Sequence, residues 1–375
     1  MRRIALRSLV HERGKLFAAL AGVAFAGVLV WTQGGLYAGF LRASSRIVDR
    51  VGGDLWLAGR GARVVDNGEP LSAGVREVAL AHPAVARVRP LVFAFAGARK
   101  AGGGLEFVQV LGVDHGPGPP LPWTIEDGLP DVLSAPDRVA VDRGDLVKLD
   151  LPAAPLGATL EVGSRTLHVA AVTEGIRGFT LSPYLFTGID TAREVLHVPG
   201  DAATYWVVDL HDPARAPEVA AWLEEALPDV SAWPREAFSR ATEDYWVRGS
   251  GAGTALALSA ILGAVVGVVI VGQTLHSLTA QHLRELATLK AIGATPGELV
   301  GFVAWQAGAL ASAGGALGLG LTLVGRELVA LAGLEVALTP GVLGVGAGAI
   351  VSICLLASAW SVRTVLGLEA ARVFR

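Results

Sequence analysis

A single cysteine, a single methionine and four lysines stand in a chain of 375 residues, of which only 17% is charged. The lone Cys354 excludes an intramolecular disulfide framework and any zinc site built on several thiolates. A net charge of −3 excludes a strongly basic nucleic-acid binder. The lysines are Lys15, Lys100, Lys148 and Lys290, and only Lys15 follows a glycine. Leu16 comes next, where a phosphate-cradling loop requires serine or threonine, so this chain alone is not expected to hydrolyse ATP. There is no His-Glu-x-x-His run for zinc proteolysis, and the eight histidines fall in no ligand spacing. His276 and His282 read as polar residues at a membrane edge. Asp142-Arg143-Gly144-Asp145 offers too few fixed oxygens for a calcium cage and reads as a surface turn. No resident cofactor, metal or catalytic group is therefore expected.

What is abundant is apolar. Hydrophobic residues make up 52% of the chain and mean hydropathy is +0.51, whereas a soluble domain carries about 25% charged residues. Four stretches lack Asp, Glu, Lys and Arg altogether: 26 residues between Lys15 and Arg42, 35 between Arg248 and Arg284, 27 between Glu298 and Arg326, and 27 between Glu335 and Arg363. Crossing a bilayer takes about 20 apolar residues, so all four qualify. The first run is about twice as long as a signal peptide's apolar region of ~7–15 residues and reads as an uncleaved anchor. No ionisable residue interrupts any span, which argues against transport driven by buried carboxylates.

Short-loop Lys and Arg set the expected orientation. Arg2, Arg3, Arg7, Arg13 and Lys15 place the amino terminus in the cytoplasm, and Arg363, Arg372 and Arg375 place the tail there too. The expected division is a cytoplasmic leader (1–15), span one (16–41), an outer domain (42–247) and span two (252–275). A cytoplasmic helix and elbow (276–297), span three (299–325), a short outer loop (326–335), span four (336–362) and a cytoplasmic tail (363–375) follow. Residues 42–247 hold 19 Lys plus Arg against 28 Asp plus Glu, so an acidic domain sits on basic roots. The fold class is thus four transmembrane helices, one plus three, with a large α+β domain inserted between the first and second.

Within the outer domain, Ser72–Ala81 predicts a helix stopped by Pro83, and Ala216–Leu227 another ending at Pro228. Val88–Ala96 and Leu105–Val113 predict a hairpin around residues 100–104, and Thr159–Val162 with Thr166–Val172 a second. Thr204–Leu210 reads as a strand and residues 116–120 as an exposed loop. Arg76–Val88 and Ala221–Trp233 echo one another, each a helical stretch with a proline two residues before a valine. Duplication and two chance helix stops are both open readings.

The cytoplasmic stretch Leu275–Gly297 is the most informative. Leu275, Leu278, Leu283, Leu286, Leu289 and Ile292 cover one half of a helical wheel, with Ser277, Arg284 and Thr288 opposite. Gly293 breaks this helix. Thr295-Pro296-Gly297-Glu298 starts the next, with Thr295 as cap, Pro296 in the first turn and Glu298 completing a capping box. Three small-xxx-small pairs mark candidate helix contacts: Gly263 and Gly267, Gly314 and Gly318, Gly344 and Gly348. Trp246, Trp305 and Trp360 fall near span ends, where indole rings favour the headgroup zone.

The run from Arg284 to Thr295, Arg-Glu-Leu-Ala-Thr-Leu-Lys-Ala-Ile-Gly-Ala-Thr, resembles the cytoplasmic signature of FtsX/MacB-type ABC transporter permeases. Residues 15–26 and Gly53-Asp54-Leu55-Trp56-Leu57 resemble the DevC branch more narrowly. The resemblance implies a multi-pass protein of the bacterial inner membrane, two permease copies and a separate ATPase subunit that binds ATP and Mg. It also implies a periplasmic adaptor joined to an outer-membrane channel, with export of a lipid, glycolipid or other periplasmic substrate. Arg284, Glu285, Leu286, Leu289, Lys290 and Ile292 are by this likeness the candidates for ATPase contact. The alternatives are a lipoprotein-releasing permease and an FtsX-like signalling scaffold controlling a cell-wall hydrolase.

Overall fold

The computed structural model describes residues 13–114, 123–176, 182–281, 288, 290, 292–331 and 334–366. The chain divides into two compact units, one formed by residues 1–40 and 252–375 and the other by Leu41–Gly251. The loop expected at 116–120 lies outside the described residues.

Among the described residues four helices are long and apolar enough to cross a membrane, over Leu16–Val51, Ala252–Thr274, Pro296–Ala330 and Pro340–Ser358; the first unit holds the last three and the first as far as Phe40. The helices themselves are α1 (Arg13–Val51), α6 (Ala252–Gln281), α7 (Pro296–Leu331) and α8 (Pro340–Leu366). Helix α1 lies against the other three. A methyl group placed on Gly22 would touch Thr274 and Ile270 of α6, and one on Gly27 would touch Ile350 of α8 and Gly318 of α7. Ala19, Val23, Ala26, Trp31, Val271, Leu310, Ile350 and Ile353 form the apolar core between them. Leu258, Ile261, Leu262, Val265 and Val269 of α6 remain exposed, as a lipid-facing surface requires.

Helix α1 does not stop at the first charged residue but runs 39 residues to Val51. At ~1.5 Å per residue it is nearly twice as long as a hydrocarbon core is thick. The charge gap at 16–41 marks the apolar part of the helix, not its end. Residues Leu41–Val51 belong to the outer unit, where Ile47 and Val48 are fully buried.

The outer unit is built on one sheet with strand order β10-β1-β9-β2-β3-β8-β5-β7-β4. The strands are β1 (Leu55–Gly59), β2 (Val85–Arg99), β3 (Leu105–Val113), β4 (Ile125–Gly128), β5 (Arg138–Asp142), β6 (Thr159–Val162), β7 (Arg165–Thr173), β8 (Tyr184–Gly188), β9 (Tyr205–Leu210) and β10 (Val230–Pro234). Both expected hairpins are present: β2 pairs β3 antiparallel, closing at Arg99 and Leu105, and β6 pairs β7, closing at Val162 and Arg165. Side chains alternate along each strand between two cores. Leu55 and Leu57, Val88 and Val92, Val108 and Val110, and Trp206 and Val208 enter the core beneath helices α2 (Gly74–Leu80), α3 (Ile189–Val195) and α4 (Ala216–Ala226). Trp56, Phe93, Leu111, Phe186, Tyr205 and Val207 enter the opposite core with Ile47, Val48 and Phe238 of α5 (Arg235–Asp244). Both faces are covered, which explains strands that read as nearly continuous apolar runs.

Half of this sheet is a β-α-β-β-α-β unit, β1-α2-β2 and β9-α4-β10, interleaved in the order β10-β1-β9-β2. The two echoing segments, Arg76–Val88 and Ala221–Trp233, are the helix-to-strand passages of these halves, in equivalent places. Residues 100–204, carrying β3 to β8, are inserted between the halves and extend the sheet through parallel pairing of β3 with β8.

Candidate functional site

Two places in the chain join helices to their neighbours through fixed local geometry. One is the elbow before α7. Thr288 and Lys290 are helical, the Ile292 N–H donates to the Thr288 carbonyl at 3.1 Å, and the Gly293 N–H donates to the Lys290 carbonyl at 3.1 Å. Gly293 then takes φ +105, a left-handed conformation that ends a helix at no steric cost only for glycine. Thr295 and Glu298 close a reciprocal capping box: the Thr295 N–H donates to Glu298 Oε2 at 2.9 Å, and the Glu298 N–H donates toward Thr295 Oγ1 at 3.4 Å. The Thr295 hydroxyl adds a 3.0 Å bond to the same carboxylate. Pro296 follows at the first helical position, so α7 starts at a fixed place with its first N–H groups satisfied. Ile292 is 79% exposed. Arg284, Glu285, Leu286 and Leu289 lie outside the described residues, as does His282.

The glycine pairs differ from one another. Gly263 and Gly267 face α1, the former against Leu29 and Gln33, the latter against Ala26. Gly314 faces Val23, and Gly318 lies directly against the backbone of Ala24, Gly27 and Val28. Among the described residues, Gly344 and Gly348 meet nothing within 4 Å. The packing glycine of α8 is Gly346, against Trp31, because two residues along a helix turn the chain by about 200° to the opposite face.

The second place is the root of the outer unit, where its two chain connections are tied to each other. Ser45, near the end of α1, donates from Oγ to Glu243 Oε1 of α5 at 3.0 Å, across 198 residues of sequence, and lies 3.2 Å from Asp49 Oδ2. Burial pushes the Glu243 carboxyl above its ordinary range, and the nearby charges of Asp49 and Asp244 add to this against the Ser45 bond. Trp56 packs on Tyr205 and Phe238, with ring centres 5.5 and 5.7 Å apart, and its indole N–H donates to the Gly52 carbonyl at 3.0 Å. In the Gly53–Leu57 segment, Asp54 is part of this frame: its Oδ2 accepts from the Leu210 N–H at 2.7 Å.

Helix α5 passes into a π-helical turn, Tyr245–Gly249, directly before α6. The indole N–H of Trp246 in this turn donates to Asp66 Oδ2 at 3.1 Å, and Gln109 Nε2 donates to Asp66 Oδ1 at 3.2 Å. Burial pushes the Asp66 carboxyl up to about 6, with the Trp246 and Gln109 bonds opposing the shift. Burial also holds the Tyr184 and Tyr205 phenols above their ordinary range beside it. Tyr205 donates to the Val65 carbonyl at 2.7 Å, fixing the turn that carries Asp66. Trp246, near the predicted end of span two, spends its indole N–H on the Asp66 carboxylate. Trp305 is 47% exposed, and the Trp360 side chain lies outside the described residues. Asp142 caps a short turn, accepting from Gly144 N–H at 2.9 Å and Ile176 N–H at 3.1 Å, so its carboxylate is consumed structurally.

Residues 16–226, more than half of the chain, match the MacB-like periplasmic core domain, and residues 257–370 match the FtsX-like permease C-terminal domain. Uncharacterized ABC transporter permeases of Mycobacterium tuberculosis and Mycobacterium bovis are 26% identical over 307 residues, 81% of this chain and 80% of theirs. Among solved structures, the periplasmic region of MacB from Actinobacillus actinomycetemcomitans aligns with a TM-score of 0.38 at 12% identity, over 51% of this chain and 92% of that one. The extracellular domain of the ABC-type transporter YknZ from Gram-positive bacteria aligns with a TM-score of 0.37 at 11% identity, over 48% and 98%. With both domain families matched in chain order, and four apolar helices arranged one plus three around an α+β unit, the chain belongs to the FtsX/MacB-type ABC transporter permeases.

Proposed function

We propose that this permease is the non-catalytic membrane subunit of an inner-membrane exporter, acting in two copies with a separate ATPase chain that binds ATP and Mg. Motion of that ATPase is delivered to the outer unit, which handles a lipid, glycolipid or other periplasmic substrate and passes it to an adaptor and outer-membrane channel. The observation that carries this reading is the root of the outer unit. The end of α1 and the lead into α6 are bound to one frame through Ser45–Glu243 and Trp246–Asp66. A displacement of either connection is therefore shared with the other and with the sheet, instead of being lost in a flexible linker. On the cytoplasmic side, Arg284, Glu285, Leu286, Leu289, Lys290 and Ile292 are assigned to ATPase contact, and the capped elbow at Gly293–Glu298 to transmission into α7.

Replacing Leu286 and Leu289 together with Asp is expected to abolish co-purification of the ATPase and export with it. Reversing Arg284 alone should only reduce affinity, because an exposed ion pair contributes about 0–1 kcal/mol. A double variant that dimerises normally, retains its ATPase and still exports would remove the coupling role from this helix. Loss of ATPase binding together with loss of control over a cell-wall hydrolase, and no export by the parent protein, would favour signalling over transport.

Orientation has its own test. With Cys354 replaced by serine, membrane-impermeant thiol reagent added outside should label Asp114→Cys and Asp201→Cys and spare Arg372→Cys. Labelling of the last in sealed cells would refute cytoplasmic termini.

A further inference from the structure

A cleft of about 270 Å³ opens on the outer unit, lined by Arg60, Arg63, Asn67, Glu69 and Tyr245 together with the backbone of residues 59–64. Its walls are fixed. The Ala62 N–H donates to the Gly59 carbonyl at 3.0 Å, and Gly61 at φ +87 supplies the left-handed position that a type II turn requires. The Arg60 N–H donates to the Asp229 carbonyl at 2.9 Å, and the Arg60 side chain hydrogen-bonds to the Pro228 carbonyl through Nε, which leaves its terminal nitrogens for another acceptor. The far wall is the turn Val65–Asn67, held by Tyr205 on Val65 and by Gln109 and Trp246 on Asp66. Arg63 is exposed and, among the described residues, its side chain makes no hydrogen bond or ion pair. Arg87, Arg89, Arg99, Arg143, Arg165, Arg193, Arg215, Arg240 and Arg248 of the same unit are all paired with carboxylates.

We propose that this cleft binds a phosphodiester, with Arg60 and Arg63 donating to its oxygens. Two guanidiniums against the one carboxylate of Glu69 leave a formal surplus of a single positive charge, which matches the single negative charge of a diester. Guanidinium forks suit phosphate oxygens geometrically. The cleft sits where the chain leaves the outer unit, because Tyr245 lines it and lies two residues after Glu243, the partner of Ser45. Ala252, at the start of α6, follows Tyr245 by seven positions, a reach of at most ~25 Å even if extended. A phospholipid headgroup and a free glycerophosphodiester offer this same group. Neither source depends on what the permease exports.

The test uses the full-length permease, once in detergent with glycerophosphoglycerol as the soluble probe and once in nanodiscs of digalactosyldiacylglycerol, which carries no phosphate, with increasing phosphatidylglycerol. Arg63→Gln, and Arg60→Gln with Arg63→Gln, should weaken binding about tenfold or more in whichever arm binds, as loss of charge-assisted hydrogen bonds implies. Glu69→Gln should not weaken it. Binding of the soluble diester assigns the cleft to the phosphodiester itself, and binding confined to nanodiscs assigns it to lipid headgroups. Arg63 is exposed and unpaired, so its single variant should fold normally, which a matching thermal midpoint checks. Failure of the parent protein to bind either probe, or equal binding by parent and well-folded Arg63→Gln, overturns the proposal.

Discussion

Replacing Gly318 with leucine is expected to eliminate most of the folded permease. A methyl carbon at this position would lie 2.6 Å from the Ala24 carbonyl oxygen, 3.2 Å from Gly27 Cα and 3.2 Å from the Val28 nitrogen. All three are backbone atoms of α1, so no side chain can swing aside, and α7 must move off α1 along its length. Overpacking in a core costs about 1–3 kcal/mol where neighbours can adjust. Here they cannot, and a cost above ~3 kcal/mol is expected. Leucine at Gly348, where nothing among the described residues lies within 4 Å, should leave the fold of one subunit intact. Yield and thermal midpoint of the detergent-solubilised protein compare the two. A Gly318→Leu variant that accumulates and melts like the parent would show that these helices are not packed as described. Gly314→Leu should be intermediate, because its neighbour at 2.6 Å is the Val23 side chain.

That contrast shows what the sequence could and could not carry. Glycine spacing identified residues able to let helices approach, but three pairs with the same spacing have different surroundings, and only the partner helix decides between them. On α8 the buried glycine is Gly346, which belongs to no such pair in the reading by spacing. The length of α1 was legible in principle: Ile47, Val48 and Val51 fall on one side of a helix whose other side carries Arg46, Asp49 and Arg50. Stopping at the first charge conflates the thickness of a membrane with the length of a helix. The hairpins were readable because turn chemistry and apolar runs are local. The β3–β8 pairing and the Ser45–Glu243 bond join residues far apart in sequence, and no periodicity records them. The Asp66–Trp246 bond crosses 180 residues, and each partner alone has an ordinary local explanation, a turn aspartate and an interfacial tryptophan.

Asp66→Asn is expected to stabilise the outer unit at pH 8 and to lose that advantage in acid. The Asp66 carboxyl titrates at about 6 in the folded protein, against an ordinary value of 3.8, because burial disfavours its charge. A raised pKa means that the folded state holds a proton that the unfolded chain has released. The stabilisation from that proton is complete below pH ~4 and lost as pH rises through about 6. The shift of about two units makes an ionised Asp66 cost about 3 kcal/mol at pH 8, relative to a neutral group in its place. An amide supplies one. Its oxygen can accept from Trp246, and its nitrogen can donate to Gln109 Oε1, which is buried without a partner among the described residues, once the Gln109 amide turns over. The gain corresponds to roughly 6–12 °C for a unit of this size. Thermal midpoints of parent and variant, followed from pH 8 to pH 5, should converge as the parent becomes protonated, and Glu243, common to both, cancels in the difference. A pH-independent difference, or a variant less stable at pH 8, would show that burial does not govern Asp66. If the variant melts higher yet exports less, the ionised carboxylate is retained for its stronger, charge-assisted hold on Trp246 at the entry to α6.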